Sequence, residues 1–410
     1  MLESVKNVHL IGAGGIGVSA VGKLFLHWGK TVTGSDLILS EQVEALKKAG
    51  AHIFIGQSAD HVVLGVELVI YSPAVNEDNV ERARARELGI TQMSYPEFLG
   101  ELAKNYKTIA ISGTHGKSTT TAMIGLILEA AGLDPTVIVG SKVKSWSEGN
   151  VRFGSSHLLV IEACEHMAGM LNIHPDIAVI TNIEMDHPDF YRDLAHVQET
   201  FAKWKMQAKS IVIGGATAPR REDLHLLIPG DFNLDNARLA AAVAKQLGVS
   251  DEVIVKTLNA FPGLWRRFEK ISVWHDADIY SDYAHHPTAI KKTLQAAREF
   301  FPNRRIVLCF QPHQHARTKE LFEDFCLALA SSEIDVLIIA EIYAVAGRLE
   351  VAGEISSKDL VEAVQKRGKD VSYAPDLASA ETQLKALIKP TDVVLIMGAG
   401  DIDEVARKFV

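Results

Sequence analysis

Cysteine is scarce in this chain, with three residues in 410: Cys164, Cys309 and Cys326, far apart and outside any C-x-x-C spacing. That count excludes a disulfide-stapled scaffold and a cysteine-based structural zinc site, and it points to a reducing compartment. Long apolar runs are missing too. No stretch reaches the ~18 residues needed to cross a bilayer. The opening MLESVKNVHLIGAGG runs straight into a strand and a glycine turn, so no secretion signal is expected. The expected location is the cytoplasm. Positive charge is not in excess: 42 Lys and Arg stand against 51 Asp and Glu, a formal charge of −9. This argues against general binding of nucleic acid or of an anionic membrane. Aromatic residues make up only 7%, but 47% hydrophobic and 23% charged residues exclude disorder and collagen and leave a soluble globular chain. At ~150 residues per domain, its length suits two to three domains.

Strand-like apolar runs alternate with helical stretches almost throughout, the pattern of parallel α/β sheets. The first cycle reads VHLIG (8–12), a glycine turn, a helix to Trp28, KTVTGSD (30–36), a helix over EQVEALKKAG, a strand ending at VIYSP and a helix over NVERARARELG. A second cycle starts at KTIAIS (107–112) with a glycine-bearing turn and the helix TTTAMIGLILEAAG. It continues through HLLVIEA (157–163), DIAVITNI (176–183) and SIVIGG (210–215) to helices over DNARLAAAVAKQLG (235–248) and SDEVIVKTLNAF. Pro262-Gly263-Leu264 reads as a linker. The third cycle holds ADIYSDYA (277–284), RRIVLCFQP (304–312), DVLIIAEIY (335–343) and DVVLIMGAG (392–400). The expected architecture is three consecutive α/β domains, 1–105, 106–262 and 263–410, with mainly parallel sheets.

Between a strand and a helix lies Ser112-Gly113-Thr114-His115-Gly116-Lys117-Ser118-Thr119. The backbone N–H groups of such a turn converge on phosphate oxygens, and the helix N-terminus adds partial positive charge. Lys117 would reach the β- and γ-phosphates and the Ser118 hydroxyl would ligate magnesium. The first glycine of the GxxxxGK[ST] pattern is replaced by Ile111. Gly12-Ala13-Gly14-Gly15-Ile16-Gly17 matches GxGxxG after a strand, with Asp36 at the end of the next one. Taken alone, this suits a dinucleotide with Asp36 on a ribose, or the pyrophosphate of another nucleotide such as a UDP-sugar.

Two further clusters fall at strand ends, which line the ligand crevice of an open α/β sheet. One joins Glu162-Ala163-Cys164-Glu165 to Asn182 through His187. Glu162, Asp186 and His187 could face the phosphate turn, where carboxylate and hydroxyl oxygens suit magnesium. The other joins Arg266-Arg267 and Asp282-Tyr283-Ala284-His285-His286-Pro287 to Gln311 through Thr318. Arginines there suit phosphates and carboxylates through their two-pronged donors.

HLIGAGGIG…GSD, GTHGKST, EAxE, NIxxDH, NxxN, RRFE, DYAHHPT, FQPHxxxRT and MGAGDI occur in this order, and together they resemble the Mur ligases over essentially the whole chain. The resemblance implies a Rossmann-like domain for a UDP-sugar, a central P-loop domain for ATP with magnesium (or manganese), and a Rossmann-like C-terminal domain. It implies an ATP-dependent ligase of peptidoglycan synthesis that joins L-alanine to the lactyl carboxylate of UDP-N-acetylmuramate through an acyl phosphate, as a monomer or homodimer. By matching positions, Gly12, Gly14, Gly15, Ile16, Gly17, Ser35, Asp36 and Ser72 would meet the UDP-sugar. Gly113, Thr114, His115, Gly116, Lys117, Ser118, Thr119, Asn233, Asn236 and Asp282 would meet ATP. Ser118, Glu162 and His187 match metal positions. Tyr283, His313, Gln314 and Arg317 would meet the amino acid, and Lys117, Glu162, His187 and Arg267 would carry catalysis. Gln314 stands where the family usually has an arginine. A Mur-type ligase for another amino acid or a recycled peptide therefore stays open. So do, from other classes, an NAD-dependent oxidoreductase and a nucleotide-binding protein without ligase turnover.

Overall fold

The computed structural model describes residues 2–187, 190–215, 218–344 and 355–410. They form two compact units: one of Met1–Asp186, Asp193–Leu224 and Asn236–Leu258, the other of His187–Arg192, His225–Asp235 and Asn259–Val410. The first unit holds two sheets, the second unit one. All three are α/β sheets, as the alternating pattern implies.

The first sheet comprises β1 (Asn7–Ile11), β2 (Thr31–Asp36), β3 (His52–Ile55), β4 (Leu68–Tyr71) and β5 (Thr91–Ser94). It runs β3-β2-β1-β4-β5 with every pair parallel. Val8, Leu10 and Ile11 of β1 are buried along with His9, as expected of a strand covered on both faces. The second sheet comprises β6 (Lys107–Ser112), β7 (Thr136–Ile138), β8 (Val151–Arg152), β9 (Leu158–Glu162), β10 (Ile177–Ile180) and β11 (Ser210–Ile213), in the order β11-β10-β6-β9-β7-β8. Only its β7–β8 pair is antiparallel. β6 lies between β10 and β9, with Ser112 paired to Ile180 and Ile111 to Glu162. The turn after β6 therefore opens beside the carboxyl ends of both neighbours, at the switch point where open α/β sheets bind ligands.

Polar contacts tie the two sheets into one unit. Lys23 Nζ donates to the Glu148 carbonyl (2.6 Å) and to Asn150 Oδ1 (3.1 Å). Asn150 Nδ2 donates to the Ile16 carbonyl (2.7 Å) and to Ser19 Oγ (3.0 Å). The helix Tyr95–Ala103 packs so closely on the turn before β10 that a methyl at Gly100 would lie 2.2 Å from the Asn172 carbonyl oxygen.

The second unit is built on β12 (Glu269–Trp274), β13 (Ala277–Asp282), β14 (Ile306–Phe310), β15 (Val336–Ala340), β16 (Ser372–Ala374) and β17 (Val393–Met397), in the order β12-β13-β17-β14-β15-β16. Its β12–β13 pair alone is antiparallel. Along β14, Ile306, Leu308 and Phe310 enter one apolar cluster while Val307 and Cys309 enter the other, the two-residue alternation of a strand covered on both faces. Burial pushes the Cys309 thiol up to about 12, so it behaves as a small apolar filler.

Candidate active site

β6 delivers the chain to Gly113–Gly116, and the helix Lys117–Ala130 leaves it. Both glycines take positive φ, 137° at Gly113 and 85° at Gly116, a region that glycine enters freely. Space enforces the same choice. A methyl on Gly113 would sit 2.0 Å from Thr181 Oγ1, and one on Gly116 2.3 Å from Asn236 Oδ1. The segment after β10 locks the turn from the side. The His115 N–H donates to Asn182 Oδ1 (2.9 Å), Asn182 Nδ2 donates to the His115 carbonyl (3.0 Å), and Thr181 Oγ1 donates to that carbonyl as well (2.6 Å). No side chain caps the helix. The N–H groups of Lys117, Ser118 and Thr119 precede its first internal bond, from the Thr120 N–H to the Gly116 carbonyl at 2.9 Å. A terminus of this kind attracts phosphate through its spare donors and its dipole.

Lys117 folds its ammonium back over the turn. Nζ donates to the Gly113 carbonyl (2.5 Å) and to both carboxylate oxygens of Glu165 (3.0 and 2.9 Å). Burial alone would lower the Lys117 pKa, but buried Glu165 beside it, with Cys164 and Glu162 nearby, outweighs that and holds it above the ordinary lysine value. The group therefore stays cationic, as a phosphate ligand has to be. Glu162 ends β9, and its Oε1 accepts the Gly140 N–H (2.5 Å). Glu162 and Ser118 offer a carboxylate and a hydroxyl oxygen, a donor set that fits magnesium. His115 Nε2 lies 3.4 Å from Glu184 Oε2. The third expected metal residue, His187, belongs to the second unit. Asp186 is buried in the first.

The first turn is built differently. The N–H groups of Gly12 and Ala13 both donate to the Ser35 carbonyl (3.0 Å each), and the Gly14 N–H donates to Asp36 Oδ2 (2.7 Å). Asp36 Oδ1 accepts from Ile38 N–H (3.2 Å). Asp36 thus closes its own turn. The Ser35 hydroxyl donates into the core, to buried Glu81 (2.5 Å), which also takes Ser58 N–H (3.2 Å) and meets His61 Nδ1 (2.7 Å) and His9 Nε2 (3.3 Å). Ser35 therefore supports the turn through its carbonyl. Gly15 begins the helix Ile16–His27 without a side-chain cap. Ser72 lies beside Gly12, where a methyl would come 3.0 Å from Ser72 Cβ.

In the second unit, the arginine pair divides its labour. Arg266 is buried, and its Nη2 donates to the carbonyls of Gly398 (2.5 Å) and Gly400 (2.8 Å). The Arg267 guanidinium lies 4.7 Å over the Tyr283 ring. Asp282 accepts the N–H groups of Phe268 (2.7 Å) and Ala284 (2.8 Å). Burial raises its pKa, against the pull of Arg267. Asn233 Nδ2 donates to the Pro229 carbonyl (2.7 Å); its expected companion Asn236 falls in the first unit and accepts from Thr120 Oγ1 (3.3 Å). After β14, the His313 ring stacks on Tyr343 (5.5 Å, 12°) with His285 at its edge (5.6 Å). Arg317 Nη1 lies 3.3 Å from His313 Nδ1. Gln314 takes φ 71°, held by its N–H bond to the Tyr343 carbonyl (2.9 Å). Sequence reasoning singled out neither Tyr343 nor the Glu165–Lys117 pair. For Glu165, the available signal was a second acid three residues after the strand-end Glu162.

Family models match the chain in three successive stretches. These are the Mur ligase family catalytic domain over residues 7–107, the Mur ligase middle domain over 111–214, and the Mur ligase glutamate ligase domain over 266–400. A UDP-N-acetylmuramate–L-alanine ligase from Caldanaerobacter subterraneus subsp. tengcongensis is 38% identical across 100% of this chain and 98% of its own length. The protein of the same name from Acetivibrio thermocellus is 36% identical across 98% and 95%. Among solved structures, the UDP-N-acetylmuramate-alanine ligase of Thermotoga maritima superposes with a TM-score of 0.84 at 28% identity, covering 98% of both chains. A murein peptide ligase from Psychrobacter arcticus shares the fold, with a TM-score of 0.70 at 22% identity and the same coverage.

Proposed function

The chain belongs to the Mur ligase family, and we propose that it joins L-alanine to the lactyl carboxylate of UDP-N-acetylmuramate with cleavage of ATP to ADP and phosphate. The observation that carries this reading is the end-to-end likeness to proteins bearing that one name, at 36–38% identity. The turn Gly113–Gly116 with Lys117 supplies the matching chemistry.

A carboxylate attacking a phosphate brings two anions together, so catalysis has to neutralise charge. Lys117 supplies a fixed cation at the second turn, and Arg267 is assigned the same task by its place in the family pattern. Ser118 and Glu162 would hold magnesium, which supplies further neutralisation of phosphate charge when bound; His187 matches a metal position of the family pattern. The lactyl carboxylate oxygen bonds to the γ-phosphorus as the bond to ADP breaks. The alanine nitrogen then attacks the acyl carbon, phosphate leaves, and the nitrogen loses its proton to give the amide. His313, Gln314, Arg317 and Tyr283 are assigned to the amino acid, and Asn233, Asn236 and Asp282 to the nucleoside of ATP. The first turn is assigned to the UDP diphosphate, which suits a site offering backbone N–H groups and a helix terminus. The three scattered cysteines suit a reducing compartment, and we place the enzyme in the cytoplasm.

The test is phosphate release with ATP, magnesium and UDP-N-acetylmuramate across all proteinogenic amino acids and the recycled tripeptide. Release that depends on UDP-N-acetylmuramate and is highest with L-alanine is expected. A different preferred amine would favour the second reading, which Gln314 motivates. No release with any amine would overturn the ligase reading. Absence of NADH binding by fluorescence, with UDP-N-acetylmuramate bound instead, would eliminate the oxidoreductase reading.

A further inference from the structure

Between the two glycine turns of the first unit stands a residue that no motif assigned. Tyr95 opens the helix Tyr95–Ala103, whose start is fixed by Ser94 and Glu97 in a reciprocal cap. Its ring presses on the last glycine of the first turn. A methyl on Gly17 would lie 2.6 Å from Tyr95 Cζ and 2.9 Å from its hydroxyl oxygen. The next residue, Pro96, packs on the segment after β9. There, a methyl on Gly169 would lie 3.1 Å from Pro96 Cγ and 3.3 Å from the Cys164 carbonyl oxygen. That segment also carries Glu165, the partner of Lys117. Tyr95 is therefore flanked by the turn assigned to the diphosphate on one side and by the support of the triphosphate lysine on the other.

A phenylalanine would fill the same space against Gly17, so the hydroxyl is what needs explaining. Among the described residues it makes no hydrogen bond, and the side chain is only partly buried, so the hydroxyl is open to a ligand lying between the two turns. A tyrosine hydroxyl keeps its proton at neutral pH, so the group acts as a donor. An extended substrate anchored by its diphosphate at the first turn, and presenting a carboxylate at the second, has to pass this donor.

We propose that Tyr95 is a substrate-binding residue whose hydroxyl donates a hydrogen bond to the N-acylated sugar acid, beyond the diphosphate of the nucleotide. The inference rests on the ligase reading above and deepens it.

The test uses the full chain with Tyr95→Phe, which keeps the ring on Gly17, and thermal unfolding to verify the fold. Tyr95→Phe is expected to raise the KM for UDP-N-acetylmuramate, and its calorimetric Kd, about tenfold. The KM values for ATP and L-alanine, and the Kd for plain UDP, should stay within about twofold. An unchanged KM and Kd for UDP-N-acetylmuramate would overturn the assignment. So would a proportional weakening of UDP, which would put the hydroxyl on the nucleotide. Wild-type protein that binds UDP-N-acetylmuramate but releases no phosphate with any amine would sink the ligase reading alone, and the two Kd comparisons would still decide on Tyr95.

Discussion

At the turn after β1, the groups that hold the glycines are a carboxylate and a serine carbonyl; at the turn after β6, they are two asparagine side chains and the ammonium of Lys117. Both turns follow a central parallel strand and feed a helix that no side chain caps. Their backbones can therefore do the same thing, which is to present N–H groups to an anion. Their charges cannot. The first turn consumes an acid in its own closure and brings no cation within the glycine run, which suits a diphosphate that only has to be held. The second adds a lysine kept charged by Glu165, and the oxygens of Ser118 and Glu162. That is what a phosphate under attack by a carboxylate requires. On the proposed assignment, holding a nucleotide and activating one differ by a few side chains on a shared plan.

The largest effect expected from disturbing this contrast is at Lys117. Lys117→Ala should lower turnover by roughly a thousandfold or more, while calorimetry finds UDP-N-acetylmuramate affinity within about twofold of wild type. Gly116→Ala comes next, because it combines a positive φ of 85° with a methyl 2.3 Å from Asn236 Oδ1. It should lower kcat/KM for ATP about a hundredfold and destabilise the protein by about 1–3 kcal/mol, read from initial rates and denaturant unfolding.

Gly14→Ala should act on the other side of the comparison. Its methyl would meet Ser40 Oγ at 2.7 Å and Asp36 Oδ2 at 2.9 Å, so it would disturb the bond from the Gly14 N–H to Asp36 that closes the turn. The expected result is a KM for UDP-N-acetylmuramate raised about tenfold with the KM for ATP unchanged. Smallest is Glu81, which supports the first turn from below through Ser35. Burial would raise its pKa, but the bonds from His9, Ser35 and His61 outweigh that and hold it below the ordinary 4.5. Its contribution to stability is therefore present above that pH and lost as pH falls below it. Wild-type protein should lose about 1–2 kcal/mol more than Glu81→Gln between about pH 5 and pH 3, as measured by denaturant unfolding. Equal pH slopes would remove Glu81 from this role.

Central strands were legible in the sequence because they are long and apolar. KTIAIS matches β6 residue for residue, and the run at 8–12 is one residue off β1. Of the edge strands, only β11 was legible, as SIVIGG. β5 reads Thr-Gln-Met-Ser and β8 is two residues long, so neither shows a period; the sequence pattern does not pick out the edge strands β3, β12 and β16 either, nor the three-residue β7 inside its sheet. The helix expected from Asp235 starts at Asp231, because the short run Asp231–Leu234 carries no periodic signal of its own. At the site, glycine spacing revealed both turns, since close approach and positive φ leave few other residues possible. What spacing could not reveal was pairing at a distance. Asp36 on Gly14, Glu165 on Lys117, Ser35 on Glu81 and Tyr95 against Gly17 join residues 22, 48, 46 and 78 positions apart. Nor could it show that the first two sheets share one compact unit while His187 and Asn233 fall in the other.

The central claim is that two similar turns grip two different nucleotides. Its most direct test is calorimetric titration of wild-type, Lys117→Ala and Gly14→Ala protein, each with UDP-N-acetylmuramate and with a non-hydrolysable ATP analogue plus magnesium. Lys117→Ala should lose affinity for the ATP analogue alone, and Gly14→Ala for the UDP-sugar alone. If either substitution weakens both ligands equally, or leaves its own ligand bound as in wild type, the division of labour between the turns is contradicted.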